Sequence, residues 1–288
     1  MKVFLLALDD FGYGFLVRWT GERGLSNFSR LFEKGMWGVV LNAEEMPSAA
    51  KSWASVFTGV RPGRHGVERF HSPTKVERRA LGFNPPEILN PDHPFLWSIV
   101  GRNGKRAICR HLTFLGPTMD YNREMEREHR FPPGSERIGR NREELWKILE
   151  ETRGEAERKK ADLAVLQFQQ GEPLTHKRAG AKNGGGGDHP IGEWMRFYDN
   201  VVGRLLELEN YRLVVVSIPE RPEEPAGRGD GRGVFLCEDV LNDRQDLGIR
   251  DVSPLILWML GISIPAYMRK EKVAEIYRRI RAGERGFL

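Results

Sequence analysis

Three absences limit the classes to which this sequence can belong. No apolar run reaches the roughly 18 residues that a membrane-spanning helix needs. The two cysteines, Cys109 and Cys237, stand far apart and do not make the disulfide framework of a small secreted domain, so we interpret them as reduced thiols. Histidine is missing from residue 190 onward, so that part of the chain supplies no imidazole to a metal ion or to acid–base chemistry.

The first residues favour an intracellular protein. The apolar run Val3–Leu8 leads directly into Asp9 and Asp10, and it is too short for the apolar core of a signal peptide followed by a cleavage site. Together with the lack of a membrane span, this predicts a cytoplasmic location and no membrane partner.

Length and composition fit a large α/β domain. The chain has 288 residues, of which 30% are charged, with a formal net charge of +5 and a mean hydropathy of -0.49. Apolar runs typical of strands buried on both faces alternate with amphipathic segments typical of helices. We therefore expect a doubly wound α/β fold with a mainly parallel central sheet and helices on both faces, formed as one domain over residues 1–288.

The expected elements follow one another along the whole chain. The strands are Val3–Leu8, Trp37–Leu41, Arg106–Arg110, Leu163–Phe168, Leu213–Val216 and Val234–Cys237. The helices are Gly24–Lys34, Ala49–Phe57, Pro94–Asn103, Glu143–Lys160, Ile191–Glu207 and Lys270–Arg281. Residues at about 112–142 are rich in Arg, Glu and Pro and predict a charged, loop-rich excursion from the domain.

The segment Met46–Val67 combines a loop, a helix and a basic turn. Ser48 is a suitable N-cap, because its hydroxyl can accept a hydrogen bond from a free amide of the first turn. The helix is predicted to end at Thr58-Gly59. A helix that starts after a loop of small residues offers free N–H groups to an anion, so this segment is a candidate anion-binding site.

The run Trp53-Ala-Ser-Val-Phe-Thr-Gly-Val-Arg-Pro-Gly-Arg-His-Gly66 resembles the type I phosphodiesterase/nucleotide pyrophosphatase branch of the alkaline-phosphatase superfamily. The similarity extends from Met1 to about Met268. It implies a metal-dependent phosphodiesterase whose nucleophilic Ser or Thr lies nine residues before Thr58. That position is Ala49 here, and the neighbouring Ser48 could replace the nucleophile only if the loop shifted by one residue.

The same resemblance implies two metal ions and places their ligands. Asp9 would bind one catalytic metal, and Glu172 and His176 would stand where the family has an Asp and a His four residues apart. The family's Ser-Asp-His-Gly is replaced by the run Ser217-Ile-Pro-Glu220. Its last His ligand would fall near Asp230, where no histidine occurs.

These replacements lead to two hypotheses about function. In the first, the chain is a non-catalytic homologue that binds a partner protein or a phosphorylated ligand. In the second, it is a phosphodiesterase or phosphatase with a rearranged site that holds a single divalent ion such as zinc or manganese. Its ligands would be Glu172, His176 and Asp230, and Asp9 would be a further candidate ligand. A paired-metal site is not expected in either case.

Nucleic-acid binding is a weaker third hypothesis. The segment Arg123–Arg142 and the helix Lys270–Arg281 are rich in arginine, but they interleave Glu with Arg and contain few aromatic residues. Solvated surface is the better interpretation of that pattern, so we do not expect nucleic acid as a partner.

Overall fold

The computed structural model describes residues 1–8, 12–41, 49–66, 92–110, 112, 136–168, 190–218, 232–238 and 243–282. Within them, seven strands form one sheet. The strands are β1 (Lys2–Leu8), β2 (Met36–Leu41), β3 (Ala107–Arg110), β4 (Leu163–Phe168), β5 (Tyr211–Ser217), β6 (Arg232–Cys237) and β7 (Leu247–Gly248).

The helices of the same residues alternate with these strands along the chain. They are α1 (Tyr13–Arg23), α2 (Ser26–Lys34), α3 (Ala49–Thr58), α4 (Pro62–His65), α5 (Leu96–Arg102), α6 (Glu136–Arg158), α7 (Pro190–Leu206), α8 (Val252–Met259) and α9 (Glu271–Arg281). A single 3-10 turn, Ile249–Asp251, joins β7 to α8.

The sheet has the order β3-β4-β1-β5-β6-β2-β7 and is mainly parallel. Only β6 runs against its neighbours, β5 and β2, among the described strands. Strand β1 lies at the centre, hydrogen-bonded to β4 on one side and to β5 on the other. All residues of β4 and all but the first of β1 are buried, as the continuous apolar runs in the sequence predict.

Helices cover the sheet on both faces. Alternate residues of β1 point to opposite sides: Leu5 belongs to a hydrophobic cluster with α3, α5, α8 and α9, and Leu6 to a second cluster with α1, α2, α6 and α7. The predicted doubly wound α/β fold with a mainly parallel sheet is therefore confirmed. That residues 1–288 form one domain stays a prediction.

Two elements differ from the sequence-based expectation. Helix α1 was not expected, because Gly14 and Gly21 lower its helix propensity and Leu16 is its one deeply buried side chain among those described. Helix α6 begins at Glu136 rather than at Glu143, so its first turns occupy the end of the segment expected to be loop-rich.

Both cysteines are free thiols, as expected. Cys237 is buried, and Cys109 is partly covered on the edge strand β3. Burial of its sulfur raises the pKa of the Cys109 thiol well above its usual range, which favours the protonated form.

A carboxylate on one helix caps the start of another. Asp199 of α7 is 6% exposed, and its Oδ1 accepts hydrogen bonds from the backbone amides of Asn27 (3.1 Å) and Phe28 (3.0 Å) at the start of α2. Its Oδ2 accepts a third bond, of 3.0 Å, from Asn27 Nδ2. Leu25 at the N-cap position offers no side-chain acceptor, so Asp199 satisfies amides that would otherwise lack a partner.

Replacing this carboxylate should therefore destabilise the protein. We expect Asp199→Ala to lower the free energy of unfolding by about 2–3 kcal/mol, because it leaves buried amides unpaired. Asp199→Asn keeps an acceptor oxygen and should cost less. Urea unfolding followed by circular dichroism measures both, and an alanine variant as stable as the parent would contradict this role.

Candidate functional site

Three parallel strands end side by side at the centre of the sheet. Leu8, the last residue of β1, pairs with Phe168 at the end of β4 and with Ser217 at the end of β5. In open α/β sheets, ligands bind beyond the carboxyl ends of the strands. The next residues in the sequence are Asp9, Gln169 and Ile218. The three segments in which the sequence analysis looked for metal ligands therefore start from the same edge of the sheet.

Helix α3 is the next described element after β2, and it packs against the 3-10 turn Ile249–Asp251 and against α8. The rings of Trp53 and Phe57 are fully buried and stack with their centroids 5.5 Å apart. Ser253 Oγ of α8 donates a 2.7 Å hydrogen bond to the carbonyl of Val56. The first helical residue is Ala49, as predicted, and alanine has no hydroxyl that could attack phosphorus.

A buried serine–histidine contact, which the sequence did not predict, joins α3 to α4. Ser55 Oγ and His65 Nε2 lie 3.0 Å apart, and the two residues are 0% and 1% exposed. Because both side chains are inside the protein, this pair fastens α4 to α3 rather than acting on a ligand. The basic turn ends at Gly66, whose φ of 73° is in the left-handed region that glycine adopts without strain.

The end of β5 and the start of β6 lie close together at the carboxyl edge of the central strands. Ser217 Oγ accepts a 2.7 Å hydrogen bond from the backbone amide of Val234. A Cβ atom on Gly233 would lie 2.3 Å from the carbonyl oxygen of Ser217, so only glycine fits this approach. The guanidinium of Arg232, at the start of β6, lies 5.7 Å from the ring centroid of Tyr13 and places a cation near the same edge.

Most of the predicted site residues cannot be placed. Asp9, Ser48, Glu172, His176 and Asp230 all lie outside the described residues, so their roles stay predictions. Within the described part of the chain, His, Cys, Asp and Glu side chains form no group of three that could hold a metal ion.

The comparisons with known proteins bear on this edge. The model of the type I phosphodiesterase/nucleotide pyrophosphatase family matches residues 3–217. The chain belongs to this family. The resemblance inferred from the Trp53–Gly66 motif is therefore confirmed. No curated protein sequence is significantly similar to the chain.

Solved structures of the superfamily share the fold. Murine ectonucleotide pyrophosphatase/phosphodiesterase 5 superposes with a TM-score of 0.60 at 12% identity, over 96% of this chain and 100% of that chain. The human protein of the same name superposes with a TM-score of 0.61 at 12% identity, over 96% of this chain and 99% of that chain. The lipoteichoic acid synthase LtaP from Listeria monocytogenes superposes with a TM-score of 0.55 at 13% identity, over 93% of this chain and 73% of that chain.

Among the described helices, none is long and apolar enough to cross a lipid bilayer.

Ile218 directly follows Ser217 and lies just beyond the matched residues 3–217. The resemblance inferred from the sequence predicts that it replaces a metal-binding aspartate of the family motif, and this stays a prediction. Here the side chain is 3% exposed and belongs to the same hydrophobic cluster as Val216 and Phe235. A hydrocarbon side chain has no lone pair for a metal ion, so Ile218 itself cannot be a metal ligand.

The close approach of β5 and β6 predicts that Gly233→Ala is destabilising. The added methyl group would collide with backbone atoms of Ser217, and we expect a loss of about 2 kcal/mol or more in the free energy of unfolding. Gly154→Ala, in the exposed middle of α6 with no atom within 4 Å, is the matched control and should gain about 0.5–1 kcal/mol. Equal stability of the two variants in urea unfolding would refute the steric account.

Proposed function

We propose that this family member binds a phosphorylated ligand at the carboxyl edge of its sheet without hydrolysing it. The observation that carries the proposal is the burial of Ile218 in the hydrophobic core, where the family motif has a metal-binding aspartate. Ala49 at the first position of α3 supports it independently, since the position assigned to the nucleophile has no hydroxyl. Hydrolysis by this family's chemistry requires both groups.

Anion binding needs neither of the lost groups. The first amides of α3 have no partner within the helix and carry the positive end of its dipole. Helix α3 has ten residues, and its buried rings Trp53 and Phe57 hold it against the core. An inactive variant of murine ectonucleotide pyrophosphatase/phosphodiesterase 5 has been solved in complex with AMP, which makes AMP a suitable probe for this chain.

The direct test compares binding with turnover on the full chain. Isothermal titration calorimetry should detect AMP binding, while a chromogenic phosphodiester should stay intact with added zinc or manganese. Ala49→Ser should keep AMP binding and gain no hydrolysis, because the metal ligands are also replaced. Ala49→Asp should weaken AMP at least about tenfold, because its carboxylate opposes a second negative charge at the helix N-terminus.

The competing hypothesis is a hydrolase with one metal ion held by Glu172, His176 and Asp230. It predicts turnover by the parent chain that is lost in His176→Ala. That result would overturn the proposal, and so would a lack of AMP binding together with turnover. Binding of AMP by a chain with no turnover supports it. A protein partner, a cytoplasmic location and the absence of a membrane partner stay predictions.

Because Ile218 is buried, we predict that one substitution cannot restore a metal-binding side chain at this position. Ile218→Asp places a carboxylate in an apolar cluster and should lower the free energy of unfolding by about 3 kcal/mol or more. Ile218→Val removes one methylene and should cost about 1 kcal/mol. The measurements are urea unfolding and zinc content by mass spectrometry. A stable aspartate variant that retains zinc would show that position 218 can still serve a metal site.

A further inference from the structure

The outward face of α9 carries positive charge that the described residues do not neutralise. Its inner face packs on the core through Val273 and Ile276, which are 4% and 0% exposed. With about 3.6 residues per turn, positions 270, 274, 277, 278 and 281 fall on one exposed side of the helix, whereas Glu271 and Glu275 lie more nearly opposite the buried side chains. Lys270, Arg278 and Arg281 therefore share one exposed face, and Arg269 lies next to its start.

The flanks of the helix differ from this face in their ion pairing. Lys272 pairs with Glu275 at 3.1 Å, and Arg279 pairs with Asp243. In the described part of the chain, Arg269, Lys270, Arg278 and Arg281 have no acidic partner within ion-pair distance. The charge of Arg269 acts on the carboxylates of Asp251 and Glu271, and Glu271 also accepts a bond from the amide of Lys270. The cationic face, as we call these four residues, is thus available to an external polyanion.

One aromatic ring of α9 lies among these cations, and the fold packs a second aromatic ring against it. Tyr277 is 42% exposed on the cationic face, and the guanidinium of Arg281 lies 5.5 Å from its ring centroid. Trp258 of α8 contacts the same ring edge-on, with centroids 6.3 Å apart and an interplanar angle of 77°. The ring of Tyr277 therefore packs on Trp258 and is exposed to solvent beside the cationic side chains.

We propose that the cationic face of α9 binds single-stranded nucleic acid. Arg269 and Lys270 at one end and Arg278 and Arg281 at the other would contact phosphates along a helix of eleven residues, about 16 Å long. Tyr277 between them would stack on a base, with Arg281 adding a cation–π contact. This binding is separate from the proposed phosphorylated ligand at the sheet edge.

Single strands fit this surface better than duplexes or membranes do. A duplex keeps its base faces stacked inside, so it offers nothing to the exposed ring of Tyr277. A membrane-bound amphipathic helix inserts its apolar side into the lipid, whereas Val273 and Ile276 of α9 are packed against the protein core.

The test measures binding of a fluorescently labelled single-stranded DNA of about 12 nucleotides, within the usual site size, by fluorescence anisotropy. Affinity should fall steeply with salt. Arg278→Ala/Arg281→Ala should weaken binding at least about tenfold and flatten the salt dependence, because two phosphate contacts are lost. Tyr277→Ala should weaken binding about fivefold or more, whereas Tyr277→Phe, which keeps the ring, should bind like the parent chain.

The matched control is Lys34→Ala/Arg158→Ala, which removes the same charge from α2 and α6 on the other face of the sheet. Its binding should stay within about twofold of the parent, because those residues lie away from the cationic face. Circular dichroism confirms that every variant is folded. Absent or salt-independent DNA binding, or equal losses in the two double variants, would overturn the proposal. So would binding to phosphatidylserine vesicles without binding to DNA, which would assign the surface to membranes.

Discussion

The pairing of β1 with β4 and β5 is the constraint on which the rest of the structure depends. These three buried strands run parallel and end in register at Leu8, Phe168 and Ser217. A shift by one residue would turn every side chain of a strand to the opposite face, from one hydrophobic cluster into the other. The register therefore determines which residues form the core. It also determines which segments of the chain start from the carboxyl edge of the sheet.

That constraint is consistent with our proposal that the family fold persists here without the family's hydrolysis. The core requires apolar side chains in the strands, and Ile218 extends this requirement one residue beyond β5. The resemblance to the family predicts a metal-binding aspartate at that position. A substitution that removes a ligand and adds buried apolar surface can thus stabilise the fold while it abolishes a metal-binding position.

Sequence reasoning was most successful where a single local pattern decides the structure. The apolar run of β4 and the motif around α3 have one interpretation each, and both agree with the structure. Helix α1 was missed because packing against β6 and α2 overrides the low propensity of its two glycines. The opposite direction of β6 was not predicted, because strand direction leaves no mark in a short apolar run.

The candidate site was less predictable than the fold, and for a physical reason. The Ser55–His65 contact joins residues ten positions apart through a turn, and the closeness of Gly233 to Ser217 depends on two strands meeting. Both depend on tertiary geometry that spacing alone does not reveal. By contrast, the replacement of a nucleophile at Ala49 and of a carboxylate at Ile218 is inferred from the sequence through its resemblance to the family, and both stay predictions.

We propose that this chain has lost the paired-metal site of its family. Anomalous diffraction from crystals soaked in zinc tests it most directly. We expect no pair of zinc ions at the carboxyl edge of the sheet between Leu8 and the start of α3. Two zinc ions about 4 Å apart at that edge, the spacing of a two-metal hydrolase, would contradict the account.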